Sequence, residues 1–95
     1  MEDKILEKYL PLGTIVFLKN DIVMHMIVGY LVTDKGNKTS DYISIPFPYG
    51  LMSTEALFPF NHDDIEEIIF EGYKTETFSK LDNYLKDYES KNRKD

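Results

Sequence analysis

The segment from Ile22 to Thr33 limits most strongly what this chain can fold into. It reads as a strand with two apolar faces, one made by Ile22, Met24, Met26, Val28, Tyr30 and Val32 and the other by Val23, His25, Ile27, Gly29 and Leu31. Such a strand is either covered on both sides or bends through the corner of a barrel. Gly29 favours the bend, because a glycine inside a strand commonly marks a bulge or tight curvature. We therefore expect a curled sheet.

Length and charge restrict the possible classes of function. The chain has 95 residues, of which 42% are hydrophobic and 29% charged, and this composition is typical of one globular domain covering residues 1–95. Its formal charge of −6 repels phosphate backbones and anionic lipid, so we expect neither a nucleic-acid nor a membrane partner. The longest apolar run, Ile22–Val32, is about half as long as a bilayer span. The lack of cysteine, together with the acidic start Met1–Lys4, fits a cytoplasmic protein.

The predicted elements are two helices around a β core. A short amphipathic helix over residues 1–10 ends at Pro11. The β core covers residues 12–73 and begins with a hairpin whose turn is Lys19–Asp21. The strands are predicted at Thr14–Leu18, Ile22–Thr33, Tyr42–Ile45 and within Glu66–Glu71. The third strand ends near Ile45 or lies at an edge, because Pro46 and Pro48 cannot donate to a ladder.

The final helix is predicted over residues 76–91. An apolar stripe runs along it, formed by Phe78, Leu81, Leu85 and Tyr88 and widened by Tyr84. This stripe either packs on the sheet or receives a partner, which includes a second copy of the chain in a homodimer. The elements together predict an α+β fold. It consists of a curled antiparallel sheet of four to five strands, the C-terminal amphipathic helix and the short N-terminal helix. One form that such a sheet can take is an SH3-like small barrel.

His62 stands beside carboxylates, next to Asp63 and Asp64 and close to two glutamates. Such a group is able to bind a hard divalent ion or to pair a general base with its orienting acid. The same residues suit a helix cap, because Asn61 is followed three residues later by an acid. We favour the cap and predict no metal site, no cofactor and no catalytic residue.

Motifs of known enzymes are missing from the sequence. The five glycines are isolated from one another, so they form neither a P-loop nor a dinucleotide fingerprint. No serine has the context of a nucleophile elbow. His25 and the methionines on either side of it, Met24 and Met26, fit a packed core. We therefore predict that the protein is not an enzyme.

Aromatic residues and prolines alternate in the middle of the chain. Phe47, Tyr49, Phe58 and Phe60 lie among three prolines, and they form either a groove for another protein or the closed end of a small barrel. Residues 63–71 contain five acids and no base, which either steers a basic partner or forms a solvated face. The predicted contact residues combine both groups: Tyr49, Phe58, Phe60, Asp63, Asp64, Glu66, Glu67 and Glu71.

Several short phrases follow one another in a distinctive order between residues 9 and 73. They are Leu10–Leu18, Met26–Gly29, Asp41-Tyr42, Tyr49-Gly50, Phe60–Ile65 and Phe70–Tyr73. In these phrases the chain resembles DUF4176, a family of small bacterial proteins of unknown function. Members occur in Gram-positive bacteria, often encoded near type VII secretion components and their polymorphic toxins. The resemblance therefore implies a cytoplasmic accessory protein, a chaperone or adaptor that holds a secreted toxin before export.

The predicted function is non-catalytic protein binding. An apolar anchor would be surrounded by acids that speed the encounter with a basic partner. Two other functions stay open at this point. An immunity protein would occlude the active site of a toxin, and a metal-dependent enzyme would hold an ion between His62 and the nearby acids.

Overall fold

Within residues 7–93, which the computed structural model describes, the fold consists of five β-strands and one α-helix. In chain order the elements are β1 (Ile15–Leu18), β2 (Met24–Thr33), β3 (Thr39–Phe47), β4 (Phe58–Phe60), β5 (Ile65–Phe70) and α1 (Phe78–Asn92), with short 3₁₀ turns at Thr54–Ala56 and His62–Asp64. The strands form one antiparallel sheet beside the helix. The predicted α+β class is confirmed.

The order of the strands requires a curled sheet. Strands β4 and β5 lie at opposite edges of the order β4-β3-β2-β1-β5, yet only residues 61–64 join them. A link of this length that includes a 3₁₀ turn reaches about 15 Å, whereas the edges of a flat five-stranded sheet are about 19 Å apart. The backbone N–H of Lys19 donates to the carbonyl of Asp64 (2.9 Å) and fastens the link to the end of β1. No ladder joins β4 to β5 among the described strands, so the sheet stays open.

Gly29 lies at an irregularity of β2, as the sequence predicts. The register between β2 and β3 shifts between Ile27 and Gly29. A Cβ atom at Gly29 would lie 2.8 Å from Cγ2 of Ile43, so β3 approaches the glycine closely. The lack of a side chain at this position therefore lets the two strands pack through the bend.

The core lies inside the curl and is rich in aromatic rings. Val16, Ile27 and Tyr42 are fully buried. The ring of Tyr9 meets those of Tyr30 and Tyr42 edge-on at centroid distances of 5.8 and 6.1 Å. Such edge-to-face contacts are favourable beyond the burial of area, so the tyrosines tie residues 7–10 to the sheet.

The buried face of α1 differs from the predicted apolar stripe. Phe78 and Leu85 are buried as expected, but Leu81, Tyr84 and Tyr88 of the predicted stripe are exposed. Their place on the buried face is taken by Asp82, whose carboxylate Oδ1 accepts hydrogen bonds from the backbone N–H groups of residues 8 and 9 (2.9 and 2.8 Å). The prediction was wrong here because a carboxylate can be buried where it satisfies backbone donors.

The short N-terminal helix is not observed. Residues 1–6 of the predicted helix lie outside the described part of the chain, and residues 7–10 are not helical. The N–H of Leu10 donates to the hydroxyl of Tyr42 (3.1 Å), so this backbone donor makes a tertiary hydrogen bond and not a helical one.

Strand β3 is longer than predicted and includes Pro46. Pro46 pairs with His25 of β2, beyond the last pairing of β4, which joins Ser44 to Phe58. At this position β3 is itself an edge strand, so the missing N–H of the proline costs no ladder hydrogen bond.

Candidate functional site

The turn between β1 and β2 marks the end of the sheet at which most predicted contact residues lie. The register pairs Leu18 with Ile65 and Met24 with Phe47, so the start of β5 and the end of β3 adjoin this turn. Strand β4 also starts there, because it runs antiparallel to β3. We call this surface the hairpin end and define it by Lys19–Val23, Tyr49, Phe58, Asp64, Glu66 and Glu67.

The three most exposed apolar side chains of the hairpin end lie in solvent. Ile22 is 91% exposed, Tyr49 71% and Phe58 44%. Phe60 is only 3% exposed and packs on Tyr42 at a ring-centroid distance of 5.3 Å. The aromatic group is therefore divided between core and surface. Phe60 belongs to the core and cannot contact a partner, whereas Tyr49 and Phe58 are accessible.

Carboxylates lie beside two of these apolar side chains, Ile22 and Phe58. Glu66, Glu67 and Asp21 line an open depression of about 480 Å³ together with Ile22. Asp64 lines a neighbouring depression of about 300 Å³ beside Phe58. Apolar side chains framed by carboxylates favour a partner that carries both apolar and basic groups.

The remaining acids of residues 63–71 lie elsewhere or serve the backbone. The carboxylate of Asp64 accepts from the N–H of Asn61 (2.8 Å), which confirms the predicted capping box. Asp63 lines a different depression, which also contains Lys8. Glu71 lies 3.6 Å from Nζ of Lys74. Of the predicted acidic contacts, the structure therefore brings Asp64, Glu66 and Glu67 to the hairpin end but not Asp63 and Glu71.

Buried His25 fixes the turn of the hairpin end. Its Nε2 lies 3.0 Å from Oδ2 of Asp21, and its Nδ1 lies 3.2 Å from Oγ of Ser44. A hydrogen bond from the N–H of Val23, followed in strength by that from His25, holds the pKa of Asp21 below its usual value. Asp21 therefore stays ionised down to lower pH and keeps the turn in one conformation.

Phe58 is held in place although its ring is half exposed. Its ring lies 5.0 Å from the imidazole of His25. The hydroxyl of Ser44 donates to the carbonyl of Phe58 (3.0 Å). The ring is therefore presented to solvent on a fixed backbone, which lowers the entropic cost of binding a partner.

A second concentration of polar residues lies where the end of α1 meets the link between β4 and β5. It surrounds an open depression of about 500 Å³, lined by Glu7, Lys8, Asp41, Asn61, His62, Asp63, Glu89 and Arg93. We call it the polar cluster. Two of the phrases on which the family resemblance rests, Asp41-Tyr42 and Phe60–Ile65, meet at this cluster.

His62 is engaged by its neighbours in the polar cluster. Its backbone N–H donates to Oδ2 of Asp41 (2.8 Å), and its Nδ1 lies 3.0 Å from the hydroxyl of Tyr42. Burial raises the pKa of Tyr42 above its ordinary value, so the phenol stays protonated where it shares a hydrogen bond with Nδ1 of His62. Among residues 7–93, no group of three or more histidine and carboxylate side chains is arranged to hold a metal ion.

Arg93 ties the end of α1 to β3. Its guanidinium donates to Oδ1 of Asp41 (2.5 Å), to Glu89 (2.9 Å) and to the carbonyl of Thr39 (2.6 Å). Burial works against ionisation of Glu89, but hydrogen bonds from Lys8 and Tyr9 and the nearby cations outweigh it and hold the pKa of this carboxyl below its usual value. These groups satisfy one another's hydrogen-bonding capacity and hold the end of α1 against β3, and we call this arrangement the clamp on α1.

Sequence reasoning missed Ile22 as a contact residue and Arg93 as a clamp. Ile22 was assigned to the second strand, which starts only at Met24. A usable signal was Asp21, whose side chain accepts from the N–H of Val23 (3.0 Å) and so extends the turn. The local spacing of Glu89 and Arg93 indicates only their i,i+4 pair, and it does not reveal the contact with Asp41, which is 52 residues away.

Comparisons with known proteins identify a family but no characterised relative. The family described as "Domain of unknown function (DUF4176)" matches residues 9–81, beyond the range that the sequence phrases cover. No curated protein and no solved structure matches the chain. Within the described part of the chain, no helix combines the length and the apolar character that crossing a membrane requires.

Proposed function

Since the chain belongs to the DUF4176 family, whose function is unknown, we propose from its surface that it binds another protein and carries out no chemistry. The partner is held at the hairpin end. The observation that carries the proposal is the exposure of Ile22, Tyr49 and Phe58 at one end of the sheet. Large apolar side chains that are grouped in solvent mark interaction sites, because soluble monomers rarely leave such a group uncovered.

The apolar side chains supply most of the binding free energy in this proposal. Burying a side chain of this size contributes about 1.5–3 kcal/mol. Because Tyr49 and Phe58 are already partly buried, the three anchors together supply about 3–6 kcal/mol, from which the entropic cost of association is subtracted.

The surrounding acids act on the rate of encounter. Asp21, Glu66 and Glu67 stand beside the anchors and attract a partner with exposed lysine or arginine. Charges at the rim of an interface change the association rate more than the dissociation rate. Salt should therefore slow association and leave dissociation nearly unchanged.

In the cell, we assign the protein the role of a cytoplasmic chaperone or adaptor for a secreted toxin. The resemblance to DUF4176 proteins supports this role, because members in Gram-positive bacteria are often encoded near type VII secretion components and toxins. The exposed anchors support it as well, since a chaperone covers apolar surface of its client until export.

Co-expression with a toxin encoded beside its gene tests the role. The proposal predicts a complex that survives purification and a larger soluble fraction of the toxin. Absence of a complex would contradict protein binding. Neutralisation of the toxin without a change in its solubility would identify an immunity protein instead and contradict the chaperone role.

A charge-neutralising double variant tests the electrostatic part. We expect E66Q/E67Q to slow association with the toxin by about threefold or more at low ionic strength, measured by surface plasmon resonance. The matched control is D87N on α1, where Asp87 is 61% exposed and far from the hairpin end in the chain. Association that is indifferent to salt and to both variants would remove the steering role.

A further inference from the structure

The two edges of the sheet differ in how well they are protected against a further strand. Edge strand β4 has three residues, and its central Pro59 has no backbone N–H to donate. Edge strand β5 has six residues and contains neither proline nor lysine. Within residues 7–93, no strand pairs with the side of β5 that faces away from β1. This side of β5 therefore offers a row of open backbone donors and acceptors.

The side chains of β5 are also uncovered. Ile68 is 47% exposed, Ile69 43% and Phe70 59%. Soluble proteins avoid consecutive large apolar residues at an open edge, because such an edge pairs with other chains. Two register shifts against β1 bend the strand but leave residues 66–70 exposed. The edge is thus twisted without being closed.

Charge decides between the possible occupants of this edge. Glu66 and Glu67 are both exposed, and β5 contains no basic residue. Two copies that paired through β5 would bring four glutamates to one ladder, and like charges across a ladder are destabilising. A strand with lysine or arginine between apolar residues complements both the glutamates and the apolar side chains.

We propose that β5 is the docking edge for an extended segment of the partner that alternates basic and apolar residues and adds a sixth strand to the sheet. The inference rests on the proposed function, because it names the mode of binding and the chemistry of the bound segment. Main-chain hydrogen bonds hold the segment, and the glutamates select its charge.

The docking edge continues into the hairpin end. Glu66 and Glu67 line the same depression as Phe17 and Ile22. Six residues of strand extend about 20 Å. A partner segment longer than this therefore lies along β5 and reaches the exposed Ile22 with its remaining residues.

A synthetic peptide of eight alternating lysine and valine residues is the probe for this edge. One control peptide replaces lysine by glutamate, and a second carries N-methyl groups on alternate residues, which removes backbone donors. We expect the lysine peptide to bind and to slow amide exchange at residues 65–70, measured by NMR. Both control peptides should bind at least about tenfold more weakly.

A matched pair of variants tests the edge within the protein. I69K places on β5 the charge that natural edge strands use for protection. V28K makes the same change in the central strand β2, where Val28 is 38% exposed. We expect I69K to weaken peptide binding by about tenfold and V28K by less than about twofold, with circular dichroism showing both variants folded.

Each other outcome overturns the inference. These outcomes are no binding of the lysine peptide, equal binding of all three peptides, or slowed exchange away from β5. A concentration-dependent doubling of mass that I69K abolishes would assign the edge to a second copy instead. If I69K binds the toxin like the unmodified protein while I22S does not, the proposed function stands and the docking edge falls. If neither variant affects toxin binding, both fall.

Discussion

Replacing Asp82 by alanine tests whether a buried carboxylate holds α1 against residues 8 and 9. The side chain is 1% exposed, and its Oδ1 accepts from the N–H groups of Lys8 (2.9 Å) and Tyr9 (2.8 Å). Its Oδ2 lies 2.9 Å from Nζ of Lys86, which is 38% exposed. Alanine removes the carboxylate oxygen that accepts from both backbone donors and leaves the buried N–H of Tyr9 without this partner.

The magnitude follows from these contacts. A hydrogen bond to a charged group contributes about 1.5–3 kcal/mol, and the partly exposed ion pair with Lys86 adds less than about 1 kcal/mol. We expect D82A to lower the free energy of unfolding by about 3 kcal/mol. For a domain of this size that lowers Tm by roughly 12–24 °C. D82N keeps an acceptor oxygen and should lie between D82A and the unmodified protein.

Urea denaturation and calorimetry measure the effect, with D87A as the control on the same helix. Asp87 is 61% exposed and pairs with Lys91 at 3.2 Å, so its loss should cost less than about 0.5 kcal/mol. If D82A is no less stable than D87A, the buried carboxylate does not hold α1 and our reading of the helix is wrong.

Other substitutions probe a close backbone contact and the clamp on α1. A Cβ at Gly72 would lie 2.1 Å from the carbonyl oxygen of Leu12, so G72A should lower the free energy of unfolding by more than about 2 kcal/mol. In the control G36A the nearest atom would be 3.4 Å away, so this variant should be nearly neutral in the same urea titration. The folded-state pKa of Glu89 is lowered, so its stabilising contribution is present above its unfolded pKa of about 4.3 and is lost as pH falls through the folded value. The difference in Tm between the unmodified protein and E89Q should therefore shrink between pH 7 and pH 3, and an unchanged difference would refute this. R93A should lower the free energy of unfolding by about 2–3 kcal/mol, and R93K should lower it less, because lysine keeps the charge but not the planar set of donors. Equal losses for the two variants would argue against the directional contacts of Arg93.

The curl of the sheet could be predicted from local patterns. Ile22–Thr33 is apolar on both faces, and Gly29 lies where β3 approaches closely, so the pattern and the steric requirement agree. The C-terminal helix was found within about two residues of its observed bounds, because its apolar spacing is regular. The cap formed by Asn61 and Asp64 was likewise readable, since both of its hydrogen bonds join residues three apart.

The contacts that place α1 could not be predicted, because their partners are far apart in the sequence. Asp82 meets a backbone N–H 74 residues away, so its burial follows from tertiary satisfaction and not from helical spacing. The accessible Phe58 and the buried Phe60 are also the same residue type, so the type of residue does not predict which of them is buried. Phe58 and Phe60 share one face of β4 but differ in position along it, because Phe60 pairs with the buried Tyr42 and Phe58 with Ser44, and a three-residue strand gives no pattern to predict this.

The central claim is tested most directly by comparing the variants I22S and Y73S in their affinity for the proposed toxin partner. Ile22 and Tyr73 are 91% and 84% exposed, so neither substitution should disturb folding, but only Ile22 belongs to the hairpin end. Isothermal titration calorimetry should show that I22S weakens binding by about tenfold or more, as expected from about 1.5–3 kcal/mol of lost burial, while Y73S changes it by less than about twofold. Equal affinities of the two variants, or a larger loss for Y73S, would contradict binding at the hairpin end.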